Sequence, residues 1–240
     1  MSRAMHVNPI VWQRLGRYLR TGDMIALGIL AGRAVRIVQL DHVMIMGRPL
    51  SWPDPELQKL RAGHGELRTR FALPADLDLL KATFPHYAGE YAKRMQQGDR
   101  CLLLEGGSGP LAFTWLKLSP QLVIKEIGFE VTLPPRAAWG YDTFVVVEAR
   151  RAGAFAMLMY EVFEELRRQA VPSLFATITH TNPESFHAHA RLQYQVAMTL
   201  SRVQIPGGGL YRSRPPGGRA RYAATASRAP ALTIVTPSRP

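Results

Sequence analysis

The sequence predicts a mixed α/β fold, in which one sheet of parallel and antiparallel strands is flanked by helices. Strand-like and helix-like segments alternate along the chain. One long helix-like segment separates two strand-like ones, as a crossover between parallel strands requires. The 240 residues, 47% of them hydrophobic, suffice for one sizeable core, or for one core and a small appendage.

The elements of the main domain are expected between residues 66 and 205, in a central sheet of six to seven strands. Strand-like segments occur at residues 66–72, 101–105, 111–118, 123–133, 141–147, 173–179 and 194–205. Helix-like segments begin near residue 74 and cover residues 87–97, 151–170 and 183–192. The Gly-Gly-Ser-Gly-Pro run at residues 106–110 predicts a hairpin between two of the strands.

Residues 1–65 are predicted to form an N-terminal extension. Residues 8–20 have the pattern of a basic amphipathic helix, and residues 34–46 alternate as one strand or a hairpin. Such a helix packs on its own domain or lies on a membrane surface. The extension either shapes the binding side of the main domain or forms a homodimer contact, and the sequence leaves these alternatives open.

Residues 206–240 are predicted to be a disordered basic tail. They contain six arginines, no acidic residue and several Gly/Pro clusters, without apolar periodicity. The tail thus holds six of the twelve positive charges in the formal net charge of +12. Concentrated positive charge favours nucleic acid or anionic membranes, which makes such contacts an alternative function for the tail and the first helix.

A single cysteine and the absence of a long apolar run set expectations about the compartment. Cys101 has no partner for an intrachain disulfide, and no N-terminal segment has the shape of a signal peptide or a membrane span. We therefore expect a cytoplasmic protein.

His180, His187 and His189 are close in sequence, but no cysteine or acidic cluster completes a ligand set, so no metal site is predicted.

Two joints between a strand and a helix have distinctive sequences. The first contains Arg150, Arg151 and Gly153 at the start of a helix, where unpaired backbone N–H groups and the helix dipole favour anions. The second contains Asn182 and Pro183, which suit an N-cap and the first helical position. The second pattern has a purely structural explanation.

Together the two joints resemble the GNAT superfamily of acyl-CoA-dependent N-acyltransferases. Val145-Val-Val-Glu-Ala-Arg-Arg-Ala-Gly-Ala-Phe155 is similar to the family's coenzyme motif V-x-P-x-x-R-G-x-G-x-G/A. Asn182-Pro-Glu-Ser-Phe-His-Ala-His-Ala-Arg-Leu-Gln-Tyr194 is similar to its N-P-x-S-x-x-x-Y-x-K-L-G-F segment. Residues 71–80 resemble the first strand-helix corner of these enzymes. The resemblance covers about residues 66–205.

The resemblance implies direct transfer of an acetyl or longer acyl group from acyl-CoA to a primary amine, with no metal. A backbone N–H near residues 144–146 would polarise the thioester carbonyl. The coenzyme-binding residues it implies are Phe144, Val145, Val146, Val147, Arg150, Arg151, Ala152, Gly153, Ala154, Phe155, Asn182 and Ser185. The acceptor is a small molecule or a protein amine.

The resemblance also implies catalytic residues. A base must accept a proton from the amine, and Asp142, Glu130 and Glu126 are candidates on strands facing the cleft. His189 occupies the place of the tyrosine that commonly protonates the departing thiolate, so it is the candidate acid.

The first joint departs from the family pattern at three positions. Arg151 replaces the first glycine, Val147 replaces the proline, and Phe155 stands where glycine or alanine lets the helix approach the pyrophosphate. If the family motif is aligned one residue later, the bulky Phe155 no longer falls on the small-residue position, but the helix that follows no longer has the family's length. These departures support an alternative function, a catalytically degenerate GNAT-like module that binds a partner or regulator.

Overall fold

A computed structural model describes residues 39–54, 67–85, 88–124, 127–150, 152–205, 208–225 and 231–237. The strands are β1 (Gln39–Pro49), β2 (Arg68–Phe71), β3 (Arg100–Gly106), β4 (Gly109–Lys117), β5 (Gln121–Ile124), β6 (Phe129–Thr132), β7 (Ala138–Val145), β8 (Ser173–Thr179), β9 (Gln195–Ile205), β10 (Gly208–Arg214), β11 (Arg221–Thr225) and β12 (Ala231–Thr233). The helices are α1 (Leu77–Thr83), α2 (Tyr91–Gln96), α3 (Ala154–Arg168) and α4 (Pro183–Arg191). The predicted helix at residues 8–20 lies outside the described residues.

Nine strands form one mixed sheet in the order β11-β10-β9-β1-β8-β7-β4-β3-β2. Every neighbouring pair is antiparallel except β7 and β8, which are parallel and are connected through α3. The predicted mixed α/β class and the predicted crossover helix are confirmed. The sheet has nine strands instead of six or seven, because segments outside residues 66–205 add to it.

The two faces of the sheet bury different layers. On one face α3 packs through Leu158, Val162 and Phe163, which belong to the largest apolar cluster of the described residues. On the other face α1 and α2 pack around Phe84 and Trp115. Next to them, a separate three-stranded sheet in the order β12-β6-β5 covers the neighbouring part of that face.

Strand β1 shows that residues 39–49 belong to the main fold. It lies between β8 and β9, in the middle of the large sheet. Its side chains are apolar on both faces, since Val43 and Ile45 join one core cluster and Met46 joins another. A strand buried on both faces is part of the core, so the predicted boundary at residue 66 cuts through the sheet. Of the two patterns predicted for residues 34–46, the described part forms a single strand.

The prediction of disorder across residues 206–240 is wrong for β10, β11 and β12. Strand β10 pairs with β9 and continues the sheet, and β12 pairs with β6. Tyr211 of β10 packs edge-on against Phe129, with ring centroids 5.2 Å apart. The sequences of these strands show little apolar alternation. Strands β10 and β12 are held by pairing with β9 and β6, and β11 is held by pairing with β10.

Two further boundaries differ from the prediction. Residues 123–133 are not one strand, because β5 and β6 form an antiparallel hairpin whose turn contains Gly128 at a φ of +67°. Strand β7 begins at Ala138 rather than at residue 141. The earlier start matters for the site, since it places Trp139 within the strand.

Candidate active site

The parallel strands β7 and β8 separate along their length. They pair only at Ala138, Trp139 and Gly140, which lie opposite Leu174, Phe175 and Ala176. Beyond this point β7 continues along β4 and β8 continues along β1. A gap therefore opens in the middle of the sheet, between residues 141–145 and residues 177–179.

A β-bulge turns β7 at the start of this gap. The register between β4 and β7 shifts between Phe113 and Trp115, so that two residues of β7 oppose Thr114 alone. Asp142 lies in the bulge with a φ of +46°, and the hydroxyls of Thr114 and Thr143 are 2.7 Å apart across it. A bulge bends its strand and adds local twist, which accounts for the separation of β7 from β8.

The backbone of Val145 faces the gap. The N–H of Val146 donates to the carbonyl of Leu111 on β4 at 2.9 Å. Because antiparallel pairs alternate, Val145 directs its N–H and C=O away from β4 and toward β8. In agreement, Nε of Arg150 donates to the Val145 carbonyl at 3.1 Å from that side. Of the predicted residues 144–146, Val145 is thus the one whose amide points into the gap.

The first joint leads from β7 into α3 through one 3-10 turn, Val147–Ala149. Gly153 stands at the N-cap of α3 in the left-handed region, with a φ of +79°, so α3 begins at Ala154, three residues after the start predicted at residue 151. Within the described residues no side chain caps α3. Ala154 is buried in the core, so its side chain is not available to a ligand. Arg151 lies outside the described residues.

The ring of Phe155 leans sideways toward α4. It lies 5.1 Å from the ring of His189, centroid to centroid, and packs against the core cluster under α3. The ring therefore fills space between the first turn of α3 and the last turn of α4.

The second joint is a capped helix start, as predicted. Oδ1 of Asn182 accepts a hydrogen bond from the N–H of Ser185 at 3.2 Å, and Pro183 occupies the first turn. Asn182 therefore stabilises α4. Coenzyme contacts by Asn182 and Ser185 stay a prediction.

His189 is a core residue of α4, only 5% exposed. Its Nδ1–H donates to the Ser185 carbonyl at 2.8 Å, and its ring packs edge-on against Tyr194 with centroids 5.0 Å apart. Burial lowers the pKa of His189, with the Ser185 carbonyl opposing that shift. A neutral, buried imidazole whose proton is already donated to the backbone is poorly placed as an acid, so the geometry does not support the role implied for His189.

A cavity of about 290 Å³ opens beside the gap, on the face opposite α3. Tyr141 and Thr177, the first residues after the strands part, both line it. The other lining residues come from α2 and the residues on both sides of it, and from β4, β5 and β7: Glu90, Lys93, Arg94, Gln97, Asp99, Lys117, Leu122, Val123, Ile124, Trp139 and Asp142. The cavity combines an aromatic and aliphatic wall with a charged one.

Two contacts organise the charged wall. Nη2 of Arg94 lies 2.5 Å from Oδ2 of Asp142, in a pair that joins α2 to the bulge of β7. The hydroxyl of Tyr141 donates to Oδ2 of Asp99 at 2.6 Å. Burial is the larger cause that raises the pKa of Tyr141, and the hydrogen bond to Asp99 raises it further. This phenol therefore stays protonated. Both carboxylates are held in defined positions at the edge of the gap.

The predicted bases have different outcomes. Asp142 lines the cavity, as expected for a group that contacts an acceptor. Glu130 lies on β6, between the buried Phe129 and Val131 that point into the core, so its side chain lies on the opposite face of the small sheet. It does not line the cavity, and its predicted position facing the cleft is wrong because residues 123–133 form a separate hairpin. Glu126 lies outside the described residues.

Two general properties concern the described residues as a whole. None of their helices is long and apolar enough to cross a membrane. Within the same residues, no three His, Cys, Asp or Glu side chains converge as metal ligands. Cys101 is buried in β3, and burial raises the pKa of its thiol to about 12.

Comparison with known proteins identifies the architecture. No protein-family model and no curated protein sequence matches the chain. A glucosamine N-acetyltransferase region of the GCN5-related type, in a fungal multi-domain beta-N-acetylglucosaminidase, superposes with a TM-score of 0.52 at 13% identity, over 70% of this chain and 21% of that one. The chain has a GNAT-like fold.

A second solved structure has a fold similar to that of this chain. It is a functionally unknown conserved protein from Staphylococcus epidermidis, with a TM-score of 0.50 at 9% identity, over 73% of this chain and 66% of that one. At such identities the likeness establishes the fold alone. In both comparisons the chain spans less than the whole length of the protein it matches.

Most residues of the cavity escaped the sequence analysis. Trp139, Tyr141, Arg94 and Asp99 were not singled out, because they come from segments that meet only in the GNAT-like fold. One signal was present in the sequence. The alternation of large and small residues in Trp139-Gly-Tyr141 continues the pattern of the predicted strand toward its N-terminus. A strand that began at residue 139 would have placed both rings on one face of the sheet.

Proposed function

We propose that the protein transfers an acetyl or longer acyl group from acyl-CoA to a primary amine. The observation that carries this proposal is the gap between β7 and β8. It is bordered by a glycine turn that begins a helix and by a cavity with charged and aromatic walls. This arrangement gives a thioester and an amine separate approaches to the same backbone amide.

The residues at the first joint fit a coenzyme with a pyrophosphate. Gly153, half-buried and with a positive φ, precedes the first turn of α3, where N–H groups and the helix dipole favour phosphate. The ring of Phe155 packs against His189 of α4. When bound there, acyl-CoA supplies a thioester as the acyl donor. The Val145 N–H would lie beside the thioester carbonyl.

The amine would be held in the cavity and attack directly. Its nitrogen forms a bond to the carbonyl carbon, the carbon–sulfur bond breaks, and the proton lost by the amine balances the one that the thiolate finally takes up. Val145 N–H would stabilise the negative charge that develops on the carbonyl oxygen. Asp142 is our candidate base, acting directly or through a water molecule, since it lies both in the bulge and in the cavity.

Calorimetric titration with acetyl-CoA and, separately, palmitoyl-CoA tests the proposal. We expect one of them to bind, and we expect thiol release from that thioester to increase when primary amines are added. The tighter ligand identifies the acyl group. Binding without amine-dependent thiol release from any amine of a broad panel would contradict transferase activity.

A second function is favoured by two contacts at the same joint. Arg150 occupies the Val145 carbonyl, which faces the gap, and Phe155 fills the space between α3 and α4. Both contacts narrow the approach for a coenzyme. If neither thioester binds, the protein is better explained as a degenerate module with a GNAT-like fold that binds a partner or regulator.

A further inference from the structure

The cavity has two chemically different walls. Its roof is the small sheet of β5, β6 and β12, from which Leu122, Val123 and Ile124 of β5 line the cavity. Trp139, 4% exposed, belongs to the same apolar cluster as the buried side of the roof. Opposite the roof lies the charged wall with the Arg94–Asp142 pair. A ligand in the cavity would meet an apolar surface on one side and ions on the other.

The C-terminal segment holds the roof in place. Strand β12 pairs in parallel with β6, and the N–H of Ile234 donates to the Thr132 carbonyl at 2.9 Å. Ile234 is 2% exposed and belongs to the cluster that contains Trp139 and Phe129. The side chain of Ile234 is thus inserted between the roof and the large sheet.

The roof needs this support for a physical reason. A two-stranded hairpin such as β5–β6 is marginally stable by itself, whereas a third strand and an apolar face give it independent stability. Strand β12 supplies the third strand, and Ile234 supplies part of the apolar face. The ring contact between Phe129 and Tyr211 is a second attachment, also from the C-terminal part of the chain.

We propose that residues 231–234 complete the acceptor site, and that the acceptor is a small primary amine with an apolar body. This rests on the proposed acyl transfer. The amine would lie toward Asp142 at the edge of the gap, and its apolar body would lie under Leu122 and Trp139. A volume of about 290 Å³ matches the small end of ligand cavities and suits a small molecule. Ile234 is then a positioning residue that acts through the roof.

The structural half of this proposal is tested without any substrate. Ile234→Ser removes the buried anchor, and Val235→Ser, at a neighbouring side chain that is 78% exposed, is the matched control. We expect Ile234→Ser to increase hydrogen exchange in residues 121–132 and acrylamide quenching of Trp139, with quenching assigned by comparison with Trp139→Phe. The control should change neither. Unchanged exchange and quenching in folded Ile234→Ser would overturn the role of the C-terminal segment, whatever the protein's activity.

The substrate half is tested with two amines of equal length and charge. Hexylamine is apolar along its length, and 2-(2-aminoethoxy)ethanol is polar. We expect wild-type kcat/KM to favour hexylamine by about tenfold or more, in line with what a few methylenes contribute in an apolar pocket. Ile234→Ser should remove this preference by raising the KM for hexylamine, while acyl-CoA affinity stays unchanged.

The possible failures are distinguishable. If the polar amine is preferred, or if the preference survives in Ile234→Ser, the substrate class or the positioning role is wrong although acyl transfer stands. If no thioester binds the wild-type protein, the proposed acyl transfer is wrong, and so is the proposed acceptor class. The exchange experiment still decides whether the C-terminal segment holds the roof.

Discussion

The two sides of the gap between β7 and β8 are built in different ways. The first joint, from Val146 to Phe155, is one continuous segment whose geometry depends on backbone conformation at Gly153. The cavity draws on α2, β4, β5, β7 and β8, and its geometry depends on side-chain pairs such as Arg94–Asp142. A continuous segment can be recognised as a motif, whereas a cavity assembled from distant segments cannot. The proposed coenzyme side is therefore recognisable in sequence, and the proposed acceptor side is not.

Because the two sides are built from different residues, substitutions on each side should impair a different property of the protein. Changes in the joint should alter acyl-CoA affinity, and changes in the cavity should alter turnover or acceptor affinity. The following predictions test that separation, from the largest expected effect to the smallest.

Replacing Asp142 should have the largest effect. Asn tolerates the positive φ of this position, so Asp142→Asn removes the charge and keeps the bulge. If Asp142 is the base, kcat falls by about a hundredfold, while acyl-CoA affinity measured by calorimetry does not change. Asp78→Asn, at an exposed carboxylate on α1 paired with Lys81, is the control. A loss of coenzyme affinity equal to the loss of kcat would break the proposed separation.

Gly153→Ala should weaken acyl-CoA binding by about tenfold, equivalent to about 1.4 kcal/mol. A Cβ in the left-handed region costs roughly 1–2 kcal/mol and shifts the joint. Gly217→Ala is a matched control, since Gly217 has a φ of +65° and open space around its Cβ position in the turn between β10 and β11. Both variants should lose similar thermal stability, but only Gly153→Ala should lose coenzyme affinity. Equal affinities in the two variants would remove Gly153 from the site.

Phe155→Ala should mainly affect stability. The ring packs against His189 and the core, so we expect a loss of about 2 kcal/mol in the free energy of unfolding, below the range for fully buried rings. Since the ring is engaged with His189 of α4, acyl-CoA affinity should stay within about threefold of wild type. Urea denaturation and calorimetry measure the two quantities. A large gain in affinity would show that Phe155 obstructs the site and would favour the degenerate module.

His189→Asn should produce the smallest effect, a change in pH dependence. Burial lowers the pKa of His189, so the unfolded chain takes up the proton more readily and acid favours unfolding. The stability associated with neutral His189 is present above its ordinary pKa of 6.5 and is lost as the pH falls below it. Asn keeps a donor for the Ser185 carbonyl but does not titrate.

The melting temperature of His189→Asn should therefore fall less between pH 7.5 and pH 5.5 than that of wild type. His42, whose pKa burial also lowers, titrates in both proteins and cancels in the comparison. A loss of kcat by more than about a hundredfold, with an unchanged fold, would instead restore His189 as the catalytic acid.

Local sequence signals predicted the elements that carry the candidate site. Asn182 and Pro183 marked the start of α4 because capping depends on neighbouring residues alone. Gly153 marked the start of α3 because few other residues adopt its backbone conformation. The prediction failed for Glu130, whose orientation depends on a hairpin turn inside a segment that alternates throughout. It also failed for Ile234, whose short segment is ordered by contacts with β6 and the core.

By itself, the sequence determined the mixed α/β class, the crossover helix and the two joints, because these depend on periodicity, capping and backbone preference within short segments. Only the tertiary structure decided that β1 lies in the middle of the sheet, that β12 closes the roof, and that Asp142 meets Arg94. These contacts join residues far apart in the chain. Their free energy comes from apolar burial and charge pairing that exist only after the sheet has formed.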